Sequence, residues 1–160
     1  MSNPKFKSSY NRTNLTEIFT GKMRVMASAS APLNTQTFNS WLNLTGTRLI
    51  ERYGLSETGF CLSNPLKDSQ LKKRISGTSG RPYGEYQVRI SAIDNKLVPS
   101  QNILITSDAE TDKVNASKKQ PILGELQVRG PSVFKEYLNN SIKTKEAFTE
   151  DGWFKTGKEI

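Results

Sequence analysis

The sequence predicts a mixed α/β fold, with an α/β segment up to about Leu62 followed by a mostly β segment. In the first segment, short apolar runs flank a helix-forming stretch that lies between capping signals. In the second, runs of alternating hydrophobicity are separated by Gly, Pro and Ser. The 160 residues, 34% of them hydrophobic, suffice for one domain with a thin core. We therefore predict three parts: an N-terminal segment 1–22, an α/β part 23–62 and a β part 63–160.

The sequence of the α/β part predicts one β-α-β unit. Met23–Ala27 is a short apolar run bounded by small residues and fits a buried strand. Asn34 can cap a helix that runs to about Leu44, and Gly46 is placed to end it. Arg48–Tyr53 fits a second strand, which the crossover helix makes parallel to the first. One face of this helix carries Phe38, Trp41 and Leu42. Before the unit, Leu15–Phe19 predicts a helical turn capped by Asn14.

The β part begins with a loop rich in Ser, Lys and Gly that extends to Arg81. Three strands are predicted after it: Tyr86–Ile93, Asn102–Thr106 and Leu123–Arg129. The polar run Asp108–Gln120 predicts an exposed insertion before the third strand. Ser141–Phe148 predicts a short helix, with Ser141 and Thr144 as rival caps. Trp153 and Phe154 are expected in the core.

The composition excludes several kinds of site. The absence of histidine rules out Ser-His-Asp and Cys-His catalysis and histidine-based metal sites. The single cysteine, Cys61, cannot form an internal disulfide, and its apolar neighbours favour a packed role. The net charge of +8 fits a solvated basic surface or attraction to anions such as ATP and coenzyme A. The basic clusters lack interleaved aromatics, so no nucleic-acid partner is predicted, and no apolar run suits a transmembrane segment.

Two stretches predict contacts with a nucleotide. The small residues of Ser28–Leu33 would let a flat ring approach the backbone, although they also fit a tight strand-to-helix turn. Tyr53–Glu57 follows the second strand, where ligands bind in open α/β sheets. There, Tyr53 can stack on a purine and Gly54 lets the backbone turn beneath it. The Ser56 hydroxyl can reach a phosphate oxygen, and the carboxylate of Glu57 can hold Mg²⁺, which prefers oxygen ligands. A structural turn is the alternative.

The order of six motifs resembles the adenylate-forming superfamily of acyl-CoA synthetases: ASAPL, ERYGLSE, GTSGRP, QVRI, GELQVRGPSVF and AFTEDGWFKTG. Within it, the ERYG motif and the polar insertion are most similar to the malonyl-CoA synthetase type. The resemblance covers about Met23 to Gly157. It implies the end of an α/β nucleotide-binding subdomain, followed by part of a distorted β-barrel. We therefore expect an incomplete domain with an exposed sheet edge, which invites aggregation.

The resemblance also implies a reaction in two steps. A carboxylic acid attacks the α-phosphate of ATP to give an acyl-adenylate, and the thiol of coenzyme A then displaces AMP. The implied substrates are ATP, coenzyme A and a dicarboxylic acid, malonate or methylmalonate, and the implied cofactor is Mg²⁺. The implied location is mitochondrial, and otherwise cytoplasmic.

Carried over by the resemblance, each site residue has an implied role. Ser30 and Ala31 line the adenine and Tyr53 stacks on it, with Gly54 beside it. Ser56 contacts phosphate and Glu57 coordinates Mg²⁺, and these two are the implied catalytic residues. Arg52 borders the acyl pocket, where its guanidinium suits the second carboxylate of malonate. Arg24 is a rival for that role.

Three positions depart from the family pattern. Ala29 stands where the family often has Gly, and Ser56 replaces the usual Thr but keeps its hydroxyl. Lys158 stands where the family has an aspartate that accepts hydrogen bonds from the ribose, and a lysine has only donors. The resemblance fails over Lys158–Ile160. We expect the family's phosphate loop upstream of Met1, and its hinge and C-terminal domain with the catalytic lysine downstream of Ile160.

These departures lead to the expectation that the isolated chain is an inactive piece of a ligase. The alternative is a non-catalytic nucleotide-binding or protein-interaction module derived from such a ligase.

Overall fold

The computed structural model describes residues 17–69, 72–92, 103–109, 112–114 and 123–160. The chain divides into two compact units, one made of residues 1–53 and 63–80 and the other of residues 54–62 and 81–160. Helices and strands occur together, and the described strands form two sheets. The predicted mixed α/β class is therefore confirmed. None of the described helices is long and apolar enough to cross a membrane.

The first unit contains the predicted β-α-β arrangement. A π-helix (Ile18–Lys22) precedes strand β1 (Ala27–Ser28), helix α1 (Thr35–Thr45) and strand β2 (Ile50–Leu55), whose last two residues belong to the second unit. Strands β1 and β2 are parallel, with Ala27 opposite Ile50. Their carboxyl ends therefore lie at the same edge of the sheet.

Helix α1 forms where it was predicted because both of its ends carry capping residues. The side chain of Asn34 accepts a hydrogen bond of 2.7 Å from the backbone N–H of Gln36. At the other end, Gly46 has φ 74° and its N–H donates to the carbonyl of Leu42 at 2.8 Å. Glycine suits that position because a side chain disfavours the left-handed conformation. The predicted face is the packed one: Phe38 is buried, and Trp41 and Leu42 are half-buried.

The positions of both strands in this unit differ from the prediction. Strand β1 comprises two residues instead of Met23–Ala27, and Met23 is 42% exposed. Strand β2 begins at Ile50 and not at Arg48. An apolar run shows that a strand is present, but hydrogen bonds to the partner strand decide where pairing starts. Of the predicted helical turn Leu15–Phe19, the last two residues lie in the π-helix, whereas Asn14 and the first two residues of the turn lie outside the described residues.

The second unit is dominated by antiparallel strands. It contains most of β3 (Gly59–Ser63) and one short helix, α2 (Ser141–Ala147). The other described strands of this unit are β4 (Arg81–Pro82), β5 (Gln87–Ser91), β6 (Ile103–Ser107), β7 (Asp112–Val114), β8 (Glu125–Arg129) and β9 (Phe154–Glu159). Five strands form a sheet in the order β7-β6-β5-β8-β9, and the other four described strands form a sheet in the order β1-β2-β3-β4. The described part of the five-stranded sheet is open and does not close into a barrel, and β7 and β9 are its edge strands.

The core of the second unit lies against β5, β8 and β9. Leu126 and Val128 of β8 are 1% and 0% exposed, and Val128 pairs with Val88 and Phe154 on its two neighbours. Trp153 and Phe154 are also buried, as predicted. A cluster of four rings extends this core: Phe134, Tyr137, Phe148 and Phe154, with centroids 4.6 to 5.8 Å apart.

Two sequence predictions in this region are wrong, and strands β3, β4 and β9 were not predicted. The insertion Asp108–Gln120 was predicted as a loop, but it contains β7, which pairs with β6. Strand β3 was not predicted, because its few residues show no clear alternation. The cap of α2 is neither Ser141 nor Thr144, since the side chain of Asn140 accepts the hydrogen bond from Lys143 N–H at 3.0 Å. Cys61 is completely buried in β3 and its burial raises the pKa of the thiol, as expected for a packed cysteine.

One buried cation ties the five-stranded sheet to the turn before β9. Arg89 of β5 donates to both carboxylate oxygens of Asp151, at 2.6 and 3.0 Å, and to Gln127 at 2.7 Å. The guanidinium groups of Arg89 and Arg129 both lie over the ring of Trp153, 4.6 and 4.5 Å from its centroid. The hydrogen bonds from Arg89 lower the pKa of Asp151 from 3.8 to about 2.

This pair predicts a loss of stability in acid. Because the folded pKa of about 2 lies below the unfolded value of 3.8, ionised Asp151 stabilises the fold fully above pH 3.8. That contribution is lost as the pH falls through about 2. The side chain is 59% exposed, so solvent screening limits the contribution to about 1 kcal/mol. We expect urea unfolding of Asp151→Asn to show a smaller decline between pH 4 and pH 2 than the parent protein.

The control for this prediction is Glu150→Gln, which removes the same charge from the exposed neighbouring residue. The unfolding free energy of Glu150→Gln should change with pH in the same way as that of the parent protein. Equal acid sensitivity of Asp151→Asn and the parent protein would show that the ion pair does not contribute.

Candidate functional site

The residues predicted to bind phosphate and metal lie in the tight turn between β2 and β3. The turn is held from within by Thr58, whose side chain is completely buried. Its hydroxyl accepts from the N–H of Leu55 at 3.0 Å and donates to the carbonyl of Gly59 at 2.8 Å, while its own N–H donates to the carbonyl of Leu55 at 3.1 Å. Thr58 thus holds the turn through hydrogen bonds that do not use the side chains of Ser56 or Glu57.

Gly54 is required at the end of β2 because the two strands approach closely there. A Cβ atom at this position would lie 2.1 Å from the carbonyl oxygen of Gly59 and 2.8 Å from the Cα of Phe60. Both are backbone atoms, which cannot rotate away as a flexible side chain can. The sequence interpretation gave this glycine a role beneath a purine, whereas the structure gives it a steric role in the hairpin.

The two predicted catalytic side chains of the turn differ in their surroundings. Ser56 is exposed, and Glu57 is half-buried. Oε1 of Glu57 accepts a hydrogen bond of 3.0 Å from the hydroxyl of Tyr137, and its backbone carbonyl accepts one of 2.7 Å from the N–H of Phe134. The hydrogen bond and the charge of Glu57 raise the pKa of Tyr137, because a phenolate would lose the bond and face a carboxylate.

In the first unit, the residues predicted to bind adenine follow strand β1. Ser30 and Ala31 are exposed, and Ser30 has φ 72°. A residue with a Cβ in that left-handed region carries strain of about 1–2 kcal/mol, and strained positions are frequent at ligand sites. Tyr53 lies in the neighbouring parallel strand β2 and is half-buried. Since the carboxyl ends of β1 and β2 share an edge, Tyr53 and the turn after β1 are at the same end of their strand pair.

The two arginines considered for the acyl substrate are in different environments. Arg52 lies in β2, is half-buried, and has a buried Nε atom. Arg24 is exposed and precedes β1. The two arginines thus differ in burial, and the choice between them for a substrate carboxylate stays a prediction.

Sequence reasoning missed Phe134, Tyr137 and Thr144. Tyr137 contacts Glu57 across 80 residues of sequence, and Thr144 accepts a hydrogen bond from the N–H of Tyr137 at 2.9 Å. No local pattern indicates such contacts, because they arise when the loop after β8 folds against the turn before β3. Phe134 ends the family-like motif GELQVRGPSVF, whereas Tyr137 and Thr144 lie between two of the quoted motifs.

A family model described as "AMP-binding enzyme" matches residues 2–138 of the chain. The chain belongs to the AMP-binding enzyme family. Two curated relatives are similar to it along most of its length. "Malonate--CoA ligase ACSF3, mitochondrial" of Homo sapiens is 44% identical over 140 residues, covering 87% of this chain and 24% of the relative. "Malonate--CoA ligase" of Arabidopsis thaliana is 38% identical over 136 residues, covering 85% and 18%.

Solved structures of AMP-binding relatives have the same fold. Apo MatB from Rhodopseudomonas palustris superimposes with a TM-score of 0.70 at 32% identity, covering 91% of this chain and 24% of MatB. A malonyl-CoA ligase in a ternary product complex with methylmalonyl-CoA and AMP gives 0.64 at 30% identity, covering 92% and 28%. The chain thus spans about a quarter of the length of these relatives.

At the position of the family aspartate, Lys158 lies in an irregular part of β9. The pairing register between β8 and β9 shifts here, and Gly157 has φ 64°. Glu125 of β8 accepts the N–H of Gly157 at 3.1 Å through Oε1, and the Thr156 hydroxyl donates to the carbonyl of Leu126 at 2.7 Å. Lys158 itself is exposed. The N–H of Lys158 donates to the Thr156 hydroxyl at 3.1 Å, so the backbone here departs from the regular ladder.

The residues of the turn fit the Mg²⁺ that the AMP-binding family implies. The described residues contain no cluster of three or more His, Cys, Asp or Glu that could enclose a metal ion. Mg²⁺ does not require such a cage, since it is commonly held by one or two carboxylates together with the phosphates of a nucleotide. Glu57 supplies one such carboxylate, and its hydrogen bond to Tyr137 engages one of about four lone-pair positions.

Proposed function

We propose that this chain forms part of an ATP-dependent acid–CoA ligase that activates malonate or methylmalonate as an acyl-adenylate and transfers the acyl group to coenzyme A. The observation that carries the proposal is the turn between β2 and β3, which Thr58 holds and which carries Ser56 and Glu57 within the region matched by the AMP-binding family. The names of the relatives, several of which are malonate–CoA ligases, support the choice of acid.

Each residue contributes binding or orientation in this proposal. Ser56 donates its hydroxyl to a phosphate oxygen of ATP, and Glu57 holds Mg²⁺, which would neutralise charge on the phosphates as the acid attacks the α-phosphate. The exposed turn containing Ser30 and Ala31 lies against the adenine, and Tyr53 stacks on it with Gly54 beside it. Arg52 pairs with the second carboxylate of the acid, which fixes the orientation of the reacting carboxylate.

The human relative is named as a mitochondrial protein, and we propose the same location on that resemblance. The presence of the protein in the matrix fraction of purified mitochondria would support it, and recovery in the cytosol alone would contradict it.

The test of the function is nucleotide binding by the purified chain. We expect Mg-ATP to raise the midpoint of thermal unfolding, because a ligand that binds only the folded state stabilises it by about 2.7 kcal/mol at 100 times its Kd. Calorimetric titration with ATP, with and without Mg²⁺, should show tighter binding in the presence of the metal.

The control is to compare the unfolding midpoints in Mg-GTP and in Mg-ATP at equal concentration, because a chain of net charge +8 attracts anions in general. Equal stabilisation by the two nucleotides would show that the rise in the unfolding midpoint comes from charge attraction alone. A cooperative transition that Mg-ATP does not move would contradict nucleotide binding and favour the protein-interaction module. Binding of ATP without formation of malonyl-adenylate would favour the non-catalytic nucleotide-binding module.

A further inference from the structure

Tyr137 and Phe134 hold Glu57 at two points. The phenol hydroxyl of Tyr137 donates to the carboxylate at 3.0 Å, and the N–H of Phe134 donates to the main-chain carbonyl at 2.7 Å. Both donors come from one segment, four residues long, that follows β8. A free Glu side chain samples many rotamers and loses that freedom when it binds a ligand. A carboxylate already held in place loses less, so the contact prepares it for binding.

Tyr137 is itself held by its neighbours. Its ring packs on Phe134 with centroids 4.6 Å apart, and its backbone N–H donates to the Thr144 hydroxyl at 2.9 Å. That hydroxyl donates onward to the carbonyl of Asn140 at 2.8 Å, and Asn140 is the cap of α2. One hydroxyl thus accepts and donates at once, which only serine or threonine can do in a side chain of this size. The first turn of α2 is therefore linked to Glu57 through Thr144 and Tyr137.

The chemistry of the donor suits a carboxylate that must bind a cation. A lysine or arginine in the place of Tyr137 would neutralise Glu57 and repel a metal ion. A phenol donates a hydrogen bond and carries no charge at neutral pH, so the carboxylate keeps its full negative charge. The contact orients Glu57 without competing with Mg²⁺ for its charge.

We propose that Tyr137 is a positioning residue that holds the Glu57 carboxylate for the Mg²⁺ of bound Mg-ATP, and that Thr144 positions Tyr137. This inference rests on the proposed function, because it takes Glu57 as the metal ligand. Neither residue touches the reacting atoms in this arrangement.

The first test is Tyr137→Phe, which removes only the hydroxyl and keeps the ring on Phe134. We expect the Mg²⁺ concentration that half-saturates ATP binding to rise about three- to tenfold, because metal binding must then also order the Glu57 side chain. The affinity for ATP without Mg²⁺ should stay unchanged, and the ligand-free chain should still unfold cooperatively. Tyr83→Phe is the matched control, since Tyr83 is 48% exposed in the same unit, and it should leave the Mg²⁺ requirement unchanged.

The second test uses Thr144, which is remote from the ligand. Thr144→Val should reproduce the raised Mg²⁺ requirement because its methyl group cannot bridge Tyr137 and Asn140. Thr144→Ser keeps the hydroxyl and should restore the parent value. Restoration by serine separates the hydrogen-bonded link from packing at this position.

The results distinguish the two proposals. If the parent chain binds ATP more tightly with Mg²⁺ but Tyr137→Phe has the same Mg²⁺ requirement, the positioning role is overturned and the proposed function stands. If Tyr137→Phe weakens ATP binding equally with and without Mg²⁺, the hydroxyl acts on the fold and the inference is again overturned. If the parent chain binds no ATP, both proposals fall.

Discussion

Gly54→Ala is expected to prevent the second unit from folding. The new methyl group would lie 2.1 Å from the Gly59 carbonyl oxygen and 2.7 Å from its carbon, far inside van der Waals contact. The φ angle of Gly54 is not left-handed, so the conflict is steric and not conformational. Only movement of the β3 backbone could relieve it, and this would break the hydrogen bonds of Thr58. The cost should exceed about 3 kcal/mol, a large part of the 5–15 kcal/mol that stabilises a typical domain.

The two tryptophans allow this effect to be measured in the second unit alone. Trp41 lies in the first unit and Trp153 in the second, so a Trp41→Phe background makes fluorescence report the second unit. Urea unfolding of Gly54→Ala in this background should show no folded baseline, or a midpoint far below that of the parent.

Gly84→Ala is the matched control in the same unit. Nothing lies within 4 Å of its added Cβ, although its φ of +63° makes alanine strained there. The expected cost is about 1–2 kcal/mol, and the unit should still fold. If Gly54→Ala unfolds at the same urea concentration as Gly84→Ala, the close approach of β2 and β3 is not as described.

Glu57→Gln is expected to abolish most of the Mg²⁺-dependent part of ATP binding. The amide oxygen can still accept the hydrogen bond from Tyr137, so the geometry of the turn should survive. The negative charge is lost, and Mg²⁺ binds a neutral amide much more weakly than a carboxylate. We expect the affinity for Mg-ATP to fall at least about tenfold, or about 1.4 kcal/mol, while the affinity for metal-free ATP is unchanged or slightly higher.

Isothermal titration with ATP at several Mg²⁺ concentrations would measure this change. Glu85→Gln is the control, because Glu85 is exposed in the same unit and its replacement changes the net charge equally. Loss of Mg²⁺ dependence in both variants would point to overall charge. Unchanged Mg²⁺ dependence in Glu57→Gln would remove Glu57 from the proposed metal site.

The success of the sequence predictions followed the range of the interactions involved. Helix α1 was predicted almost to the residue because its signals, Asn34 and Gly46, act within a few residues of its ends. Strand β7 was assigned to a loop, because its pairing with β6 compensates for a polar sequence that has little tendency to form a strand alone. Strand β3 was missed for a related reason, since its short sequence shows no clear period.

The same difference between short-range and long-range interactions applies to the candidate site. The sequence predicts the turn Tyr53–Glu57 as a nucleotide site, since its residue types suit a nucleotide and the motif resembles a family, and this role stays a prediction. Its supports were not found: Thr58 inside the turn, and Tyr137 with Thr144 from a distant segment. Hydrogen bonds between residues 80 positions apart leave no periodicity in either segment.

By itself, then, the sequence determined the mixed α/β class, the capped helix, the exclusion of histidine chemistry and the family. These properties depend on composition, on local backbone preferences and on ordered motifs. Only the tertiary structure decided that Gly54 serves a steric role between two strands, that Arg89 is paired with Asp151, and that Glu57 is held by Tyr137. The physical reason is that close approach, burial and hydrogen bonding between distant segments exist only once the chain has folded.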